Sequence, residues 1–192
     1  MPREKDFDQA TVIKKCTALF AASGYSATGI QEIVNASGIN RSSLYATFKG
    51  KDELFLHCLQ KAMLEDAAAL EGLGKKGYAT SKIMEEYLDM IVKDKPVYHL
   101  FKFAHAEFKL LNKKTQAALN AHSQWKNKFF EQHISSAQKS GKLSAKISAK
   151  ETAGLLEVLV QGIQNVSPLA NADKLYKKPA MQLVKLLQKK KA

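Results

Sequence analysis

Cysteine is scarce in this chain: its 192 residues hold only Cys16 and Cys58. Two thiols at that spacing make neither a disulfide framework nor a zinc site, which fits a reducing cytoplasm. No run approaches the roughly 18 consecutive apolar residues of a membrane-spanning helix. The opening residues, MPREKDFDQ, are polar and lack the apolar core of a secretion signal. A soluble, cytoplasmic protein without a membrane partner is therefore expected. The motifs of catalysis are also missing: there is no His-Glu-Xaa-Xaa-His, no phosphate loop and no Gly-Xaa-Ser-Xaa-Gly. The nearest approach to a metal pair is His105-Ala106-Glu107, and helix neighbours two apart do not share a face. The expectation is a non-enzyme with no catalytic residue, no metal site and no cofactor.

What the chain does have is charge and helical periodicity. Its formal net charge is +12, a balance that favours anionic partners such as nucleic acid. The excess is uneven. Residues 1–60 carry seven Lys/Arg against six Asp/Glu, and residues 61–192 carry 23 against 12. A net charge concentrated outside the N-terminal segment does not itself point to DNA binding there, and it also serves solubility. Apolar residues make up 45% of the chain, enough for a sizeable core at this length. They recur at three- and four-residue intervals, and strand signals are few, so an all-α fold is expected.

The first helix is read over about Asp8–Ser23, with Val12, Ile13, Cys16, Leu19 and Phe20 on its apolar face and Gly24 as its stop. Both cysteines lie on apolar faces, where a thiol behaves as a small hydrophobe. A short second helix is expected from Thr28, because Thr28 and Gln31 have the spacing of a capping box. A third follows Asn40, a good N-cap, and ends near Lys49-Gly50. The fourth opens with Asp52-Glu53, whose charges suit the positive end of the helix dipole. The glycine-rich stretch Glu71–Ala79 reads as the clearest break. Further helices are expected over about Thr80–Lys93, Pro96–Leu111, Lys114–Ser140, Ala149–Val166 and Asp173–Lys190. The count is about nine.

Helices two and three, joined by Ser37-Gly38-Ile39-Asn40, have helix-turn-helix proportions, and Gly38 supplies the positive φ that such a turn needs. The second helix of such a pair fits the major groove of B-DNA. Its outward residues here are Arg41, Ser42, Ser43, Ala46 and Thr47, which are small apart from Arg41. Arg41 can pair with guanine or hold phosphate, and Ala46 and Thr47 can touch base edges or a thymine methyl. Tyr45 and Lys51 are placed to reach phosphates, with Asn40 and Lys49 at the two ends of the reading helix. Thr28, at a helix N-terminus, would offer a hydroxyl and a backbone N–H to another phosphate.

The runs Gly24-Tyr25-Ser26-Ala27-Thr28-Gly29-Ile30-Gln31-Glu32-Ile33-Val34, then Ser37-Gly38-Ile39-Asn40-Arg41-Ser42-Ser43-Leu44-Tyr45-Ala46-Thr47-Phe48, then Lys51-Asp52-Glu53-Leu54 resemble the TetR family of bacterial regulators. The resemblance covers about residues 8–60. Val34 stands where that family usually has Ala, and Gly29 is an unusually flexible residue for the cap, weakening that helix by about 1 kcal/mol relative to Ala. The resemblance implies an all-α homodimer, usually a repressor, with an N-terminal three-helix helix-turn-helix domain and a larger helical effector-binding and dimerisation domain. The boundary would fall at residues 1–50, extended by the start of the helix at 51–70, and 51–192. It also implies that Thr28, Tyr45 and Lys51 meet phosphates.

The C-terminal two-thirds names no subfamily. The helix at about Ala149–Val166 is apolar nearly all round, and such a helix must be buried on more than one side. By the same resemblance it and the last helix form the dimer interface, which predicts a palindromic double-stranded operator with half-sites ~34 Å apart. A small-molecule effector would sit among the preceding helices, which are rich in aromatics. Tyr87, Met90, Phe101, Phe103, Phe108, Trp125 and Phe129 are its candidate walls, and His105, Glu107, His133 and Gln161 its candidate polar groups. The competing reading is a DNA-binding factor of the same fold with no effector, acting through protein partners.

Overall fold

A computed structural model of the chain describes residues 7–92, 96–166, 176 and 178–186. Among these residues the protein is entirely helical: α1 (Gln9–Ala27), α2 (Ile30–Ser37), α3 (Arg41–Phe48), α4 (Lys51–Lys75), α5 (Thr80–Val92), α6 (Pro96–Ala106), α7 (Lys113–Lys139), α8 (Ala149–Val166) and α9 (Lys178–Leu186), with one 3-10 turn at Phe108–Leu110. The all-α expectation therefore holds. Of the last expected helix, residues 173–175, 177 and 187–190 lie outside the described residues, as do Lys93 and the Ser167-Pro168 stop.

The chain divides into two compact units. One is Met1–Glu65 with Lys95–Leu119, and the other is Asp66–Asp94 with Asn120–Ala192. In the first, α2 packs on α1 and α3, and α6 packs along α1. Its core is Val12, Cys16, Phe20, Ile33, Leu44, Phe48, Leu54 and Phe55, all nearly or wholly buried. The Phe20 and Phe55 rings meet edge to face at 4.9 Å, the preferred arrangement of two aromatic quadrupoles. In the second unit α5 packs on α8 and α9, around Ile83, Met84, Leu88, Leu156, Val160 and Val184. The compact unit that holds the helix-turn-helix thus takes in α6, which the sequence reading places in the effector domain.

Three boundaries differ from the sequence reading. Asp8 caps α1 by accepting from the Ala10 and Thr11 amides at 3.1 and 2.9 Å, and Gly24 interrupts the helix without ending it (φ 82°, ψ 175°). Helical turns resume as far as Ala27. The expected break at Glu71–Ala79 is shorter than its glycines suggest, because α4 runs through Gly72 and Gly74 to Lys75. Gly74 lies where a Cβ would come within 3.2 Å of His133 and 3.4 Å of Phe129. Close packing against α7, and not chain reversal, explains that glycine; the turn itself is made at Gly77 (φ 66°). The helix expected over Pro96–Leu111 stops at Ala106 and tightens into the 3-10 turn, where Leu110 N–H donates to the Glu107 carbonyl at 2.8 Å.

On α8, Leu155 and Val158 are 51% and 68% exposed in the single chain, and Leu183 of α9 is 49% exposed.

The two thiols are buried, and Cys58 Sγ points to the Ile13 carbonyl at 3.6 Å. Burial pushes Cys16 up to about 11 and Cys58 up to about 12 from an ordinary 9.0. Because the folded values are raised, the stability these thiols lend is complete below about pH 9 and is lost as pH climbs through 11 to 12. Two outcomes are expected. Native protein at pH 8 resists alkylation by a thiol reagent until denaturant is added, and urea midpoints fall steeply above pH 9 while remaining flat between 7 and 8.5. Two glycine substitutions should act with opposite signs. At Gly24 an added Cβ meets the Phe103 ring at 2.9 Å and the φ is left-handed; Gly24→Ala is expected to destabilise by about 2–4 kcal/mol. At Gly72 nothing lies within 4 Å, so Gly72→Ala is expected to stabilise by about 0.5–1 kcal/mol. Urea unfolding of both variants checks this pair.

Candidate nucleic-acid interface

The reading helix is built from local signals. Ser37 closes α2 by donating its hydroxyl to the Ile33 carbonyl at 2.6 Å. Gly38 follows in the left-handed conformation (φ 80°, ψ 7°), its N–H returning to Val34 O at 3.0 Å, a C-terminal cap that needs a residue without Cβ strain. Lys15 of α1 reaches over to the Ser37 carbonyl at 3.4 Å. Asn40 then caps α3, its side-chain oxygen accepting from Ser43 N–H at 2.7 Å. At the far end Lys49 takes the left-handed conformation (φ 62°) and its N–H donates to Tyr45 O at 3.1 Å.

This register fixes which face looks outward. Leu44 and Phe48 are buried in the core of the unit, whereas Arg41, Ser42, Tyr45, Ala46 and Lys49 are exposed and Ser43 and Thr47 half-exposed. Tyr45 is 44% exposed, with the Arg41 guanidinium 5.9 Å from its ring centre. The outer face is therefore one of short side chains flanked by one guanidinium, one phenol and one lysine.

The capping box expected at Thr28 and Gln31 lies one residue further along. Gly29 is the N-cap, and Glu32 reaches back to accept from its N–H at 2.7 Å. Thr28 is fully buried, and its hydroxyl donates to the Gly24 carbonyl at 2.6 Å. Its hydroxyl is thus engaged inside the fold and is not offered at the surface as the sequence reading supposed. Lys51 is half-buried, and its ammonium donates to the Tyr25 carbonyl at 2.9 Å and the Thr28 carbonyl at 3.0 Å, 4.2 Å from the centre of the Tyr25 ring. Those two carbonyls lie at the C-terminal end of α1, where the helix itself supplies no N–H for its last acceptors.

A third partner at this junction comes from far along the chain. Glu107, just after α6, accepts from Tyr25 N–H at 2.7 Å and from Ser26 N–H at 3.2 Å. The interruption at Gly24 frees these two amides from the helix ladder, and the carboxylate satisfies them. The Tyr25 phenol donates to Asp52, and burial together with that hydrogen bond and the charges of Asp52 and Glu107 pushes it up to about 12. Lys114 pairs with Glu53 at 2.7 Å. The first turn of α4 and the stretch after α6 thereby grip the end of α1 from two sides.

The effector candidates fall into two groups. Phe101, Phe103, His105, Glu107 and Phe108 belong to the first unit, where Phe101 is buried and Phe103 lies against Gly24. Tyr87, Met90, Trp125, Phe129, His133 and Gln161 belong to the second. There Trp125, Phe129 and His133 form a ladder along α7, with ring centres 6.0 and 4.3 Å apart. Tyr87 is buried against Phe130 at 5.5 Å. Gln161 donates to Glu157 at 3.1 Å. Sequence reasoning missed the capping role of Glu107, the buried Asp66 beside Tyr87, and Lys15. An apolar cleft of about 130 Å³, lined by Met84, Leu155, Leu156, Leu159, Leu183 and Val184 among others, contains none of the candidates.

Fold and site together define an all-helical protein with an N-terminal helix-turn-helix. Residues 12–58 match the bacterial regulatory proteins of the TetR family. The helix-turn-helix-type transcriptional regulator YezE of Bacillus subtilis (strain 168) is 37% identical over 87 residues, 44% of each chain. The helix-turn-helix-type transcriptional repressor ComR of Escherichia coli (strain K12) is 36% identical over 69 residues, 36% of this chain and 33% of that one. The matched segment thus spans less than half the length of either curated relative. The similarity of fold extends further: reduced NemR of E. coli superposes with a TM-score of 0.82 over 95% of this chain and 97% of that one, at 14% identity.

Replacing Asn40 by Ala removes the cap of α3 and leaves the Ser43 amide unpaired. A loss of about 1 kcal/mol in folding stability is expected from chemical denaturation, without loss of helical signal.

Proposed function

We propose that the protein is a DNA-binding transcriptional regulator that reads a palindromic operator through α3 as a homodimer, and that a small-molecule effector releases it. The observation that carries this reading is the division of α3: Leu44 and Phe48 hold it in the core while Arg41, Ser42, Tyr45 and Ala46 stand outward. A face of short side chains lets a helix lie deep in the major groove, where one arginine can pair with guanine. Asn40, Ser43, Thr47 and Lys49 complete the reading surface, and Tyr45 with the remaining proton of Lys51 meets phosphate. Thr28 acts indirectly, by closing the end of α1.

The homodimer is supported by the uncovered apolar side chains of α8 and α9, because an exposed apolar patch marks an interaction surface. Two-fold symmetry then places two copies of α3 about one helical turn apart. The name of ComR records repression for that relative, and the same sense is the one proposed here. Among the described residues no helix is long and apolar enough to cross a membrane, and an operator-binding role places the protein in the cytoplasm. Effector release is supported by the aromatic side chains gathered in the second unit, Tyr87, Trp125, Phe129 and Phe130, because aromatic side chains are the usual company of a small-molecule site.

Selection of bound duplexes from a random pool tests the reading. It should return a palindrome with half-sites about 34 Å apart. On that operator Arg41→Ala should weaken binding by about 1–3 kcal/mol and relax preference at one position. Tyr45→Ala should weaken all sequences alike. Recovery of no enriched sequence, or unchanged affinity in a folded Arg41→Ala, Tyr45→Ala double variant, would contradict it.

A further inference from the structure

The second unit holds a buried carboxylate on α4. Asp66, on α4, has a side chain that is 0% exposed. Its Oδ2 accepts from the Tyr87 phenol at 3.3 Å and faces His122 Nε2 at 3.3 Å. Its Oδ1 has no hydrogen-bond partner among the described residues. The surroundings are aromatic: Tyr87 lies 5.5 Å from Phe130, and Trp125 is stacked on the His122 ring at 5.9 Å with an 18° angle between planes. The buried lysine of α7, Lys126, is held elsewhere by Glu157 at 3.1 Å. Among the described residues the basic side chain facing Asp66 is thus the imidazole of His122.

Such a carboxylate is an expensive feature to keep. Removing an ionised carboxylate from water costs several kcal/mol unless hydrogen bonds and opposite charge answer it. Buried polar atoms without partners are rare in folded proteins and cluster where ligands or chemistry supply the partner. Stability alone would be better served by an apolar residue at this position on α4.

We propose that Asp66 is the recognition group of the effector site and that the effector is an organic cation bearing N–H donors. This deepens the effector-release reading and rests on it for the word effector. An ammonium or amidinium head would donate to Oδ1, the oxygen left without a partner, and its apolar body would lie among Trp125, Phe130 and Tyr87. Aromatic faces attract cations by their quadrupoles, so the two features select the same chemistry. Neutral isosteres of equal shape would leave the carboxylate unanswered, and acids would add a like charge.

The test uses the full-length chain and defined probes: 2-phenylethylamine and tryptamine, their alcohol counterparts 2-phenylethanol and tryptophol, and phenylacetate. Binding is read by calorimetry and by thermal shift. The amines are expected to bind at least tenfold more tightly than the alcohols and to raise Tm, with phenylacetate weakest. Asp66→Asn keeps the shape and should erase the preference for amines over their alcohol counterparts. Tyr87→Phe removes only the phenol donor to Oδ2 and should retain the preference. Equal binding of amines and alcohols to the parent protein, or no binding of amines, overturns the proposal without any variant. So does an amine preference that survives in Asp66→Asn. Operator release measured in parallel separates the two readings. Release by neutral or acidic compounds, indifferent to Asp66, sinks the cation site and spares the effector mechanism. Amine binding through Asp66 with no change in operator affinity does the reverse.

Discussion

The carboxylate of Glu107 on the amides of Tyr25 and Ser26 is the contact on which the geometry of the first unit turns. Gly24 breaks the hydrogen-bond ladder of α1 three residues before its end, and an amide left bare at half-buried Tyr25 is costly. Glu107 answers them from one side, and Lys51 answers the carbonyls of Tyr25 and Thr28 from the other. The Tyr25 ring lies 5.0 Å from Phe55, so the junction is also anchored in the apolar core. Since α2 and α3 follow directly from Thr28, their placement depends on how that end is held.

The same junction shows how a regulator of this kind could be built economically. The residues proposed to read DNA are few and stand on an eight-residue helix, too short to be stable alone. Its stability is borrowed from Leu44 and Phe48 in the core and from the caps at Asn40 and Lys49.

Much of this was legible from the amino-acid order, and the reasons are local. The αL glycine at Gly38, the cap at Asn40 and the alternation of Leu44 and Phe48 with small outward residues are all signals within a few positions of each other. The features that escaped are those in which distant residues decide. Gly74 reads as a breaker, yet it continues a helix because Phe129 and His133 need the room. Thr28 has the spacing of a cap, but a glycine one position later holds that post and the threonine turns inward. Glu107 lies 82 positions from Tyr25 and carries no local mark of its role. Asp66 looks, in an amphipathic pattern, like one more solvated acid. The two groups of effector candidates share an aromatic character that periodicity cannot divide between units.

Methylation protection of the selected operator, read at single-base resolution, tests the central claim most directly. If α3 occupies the major groove, guanine N7 atoms should be shielded in two clusters about one helical turn apart, centred on the dyad. Protection confined to the minor-groove face of adenines, or shielding in one cluster only, would contradict a paired major-groove reading by this helix.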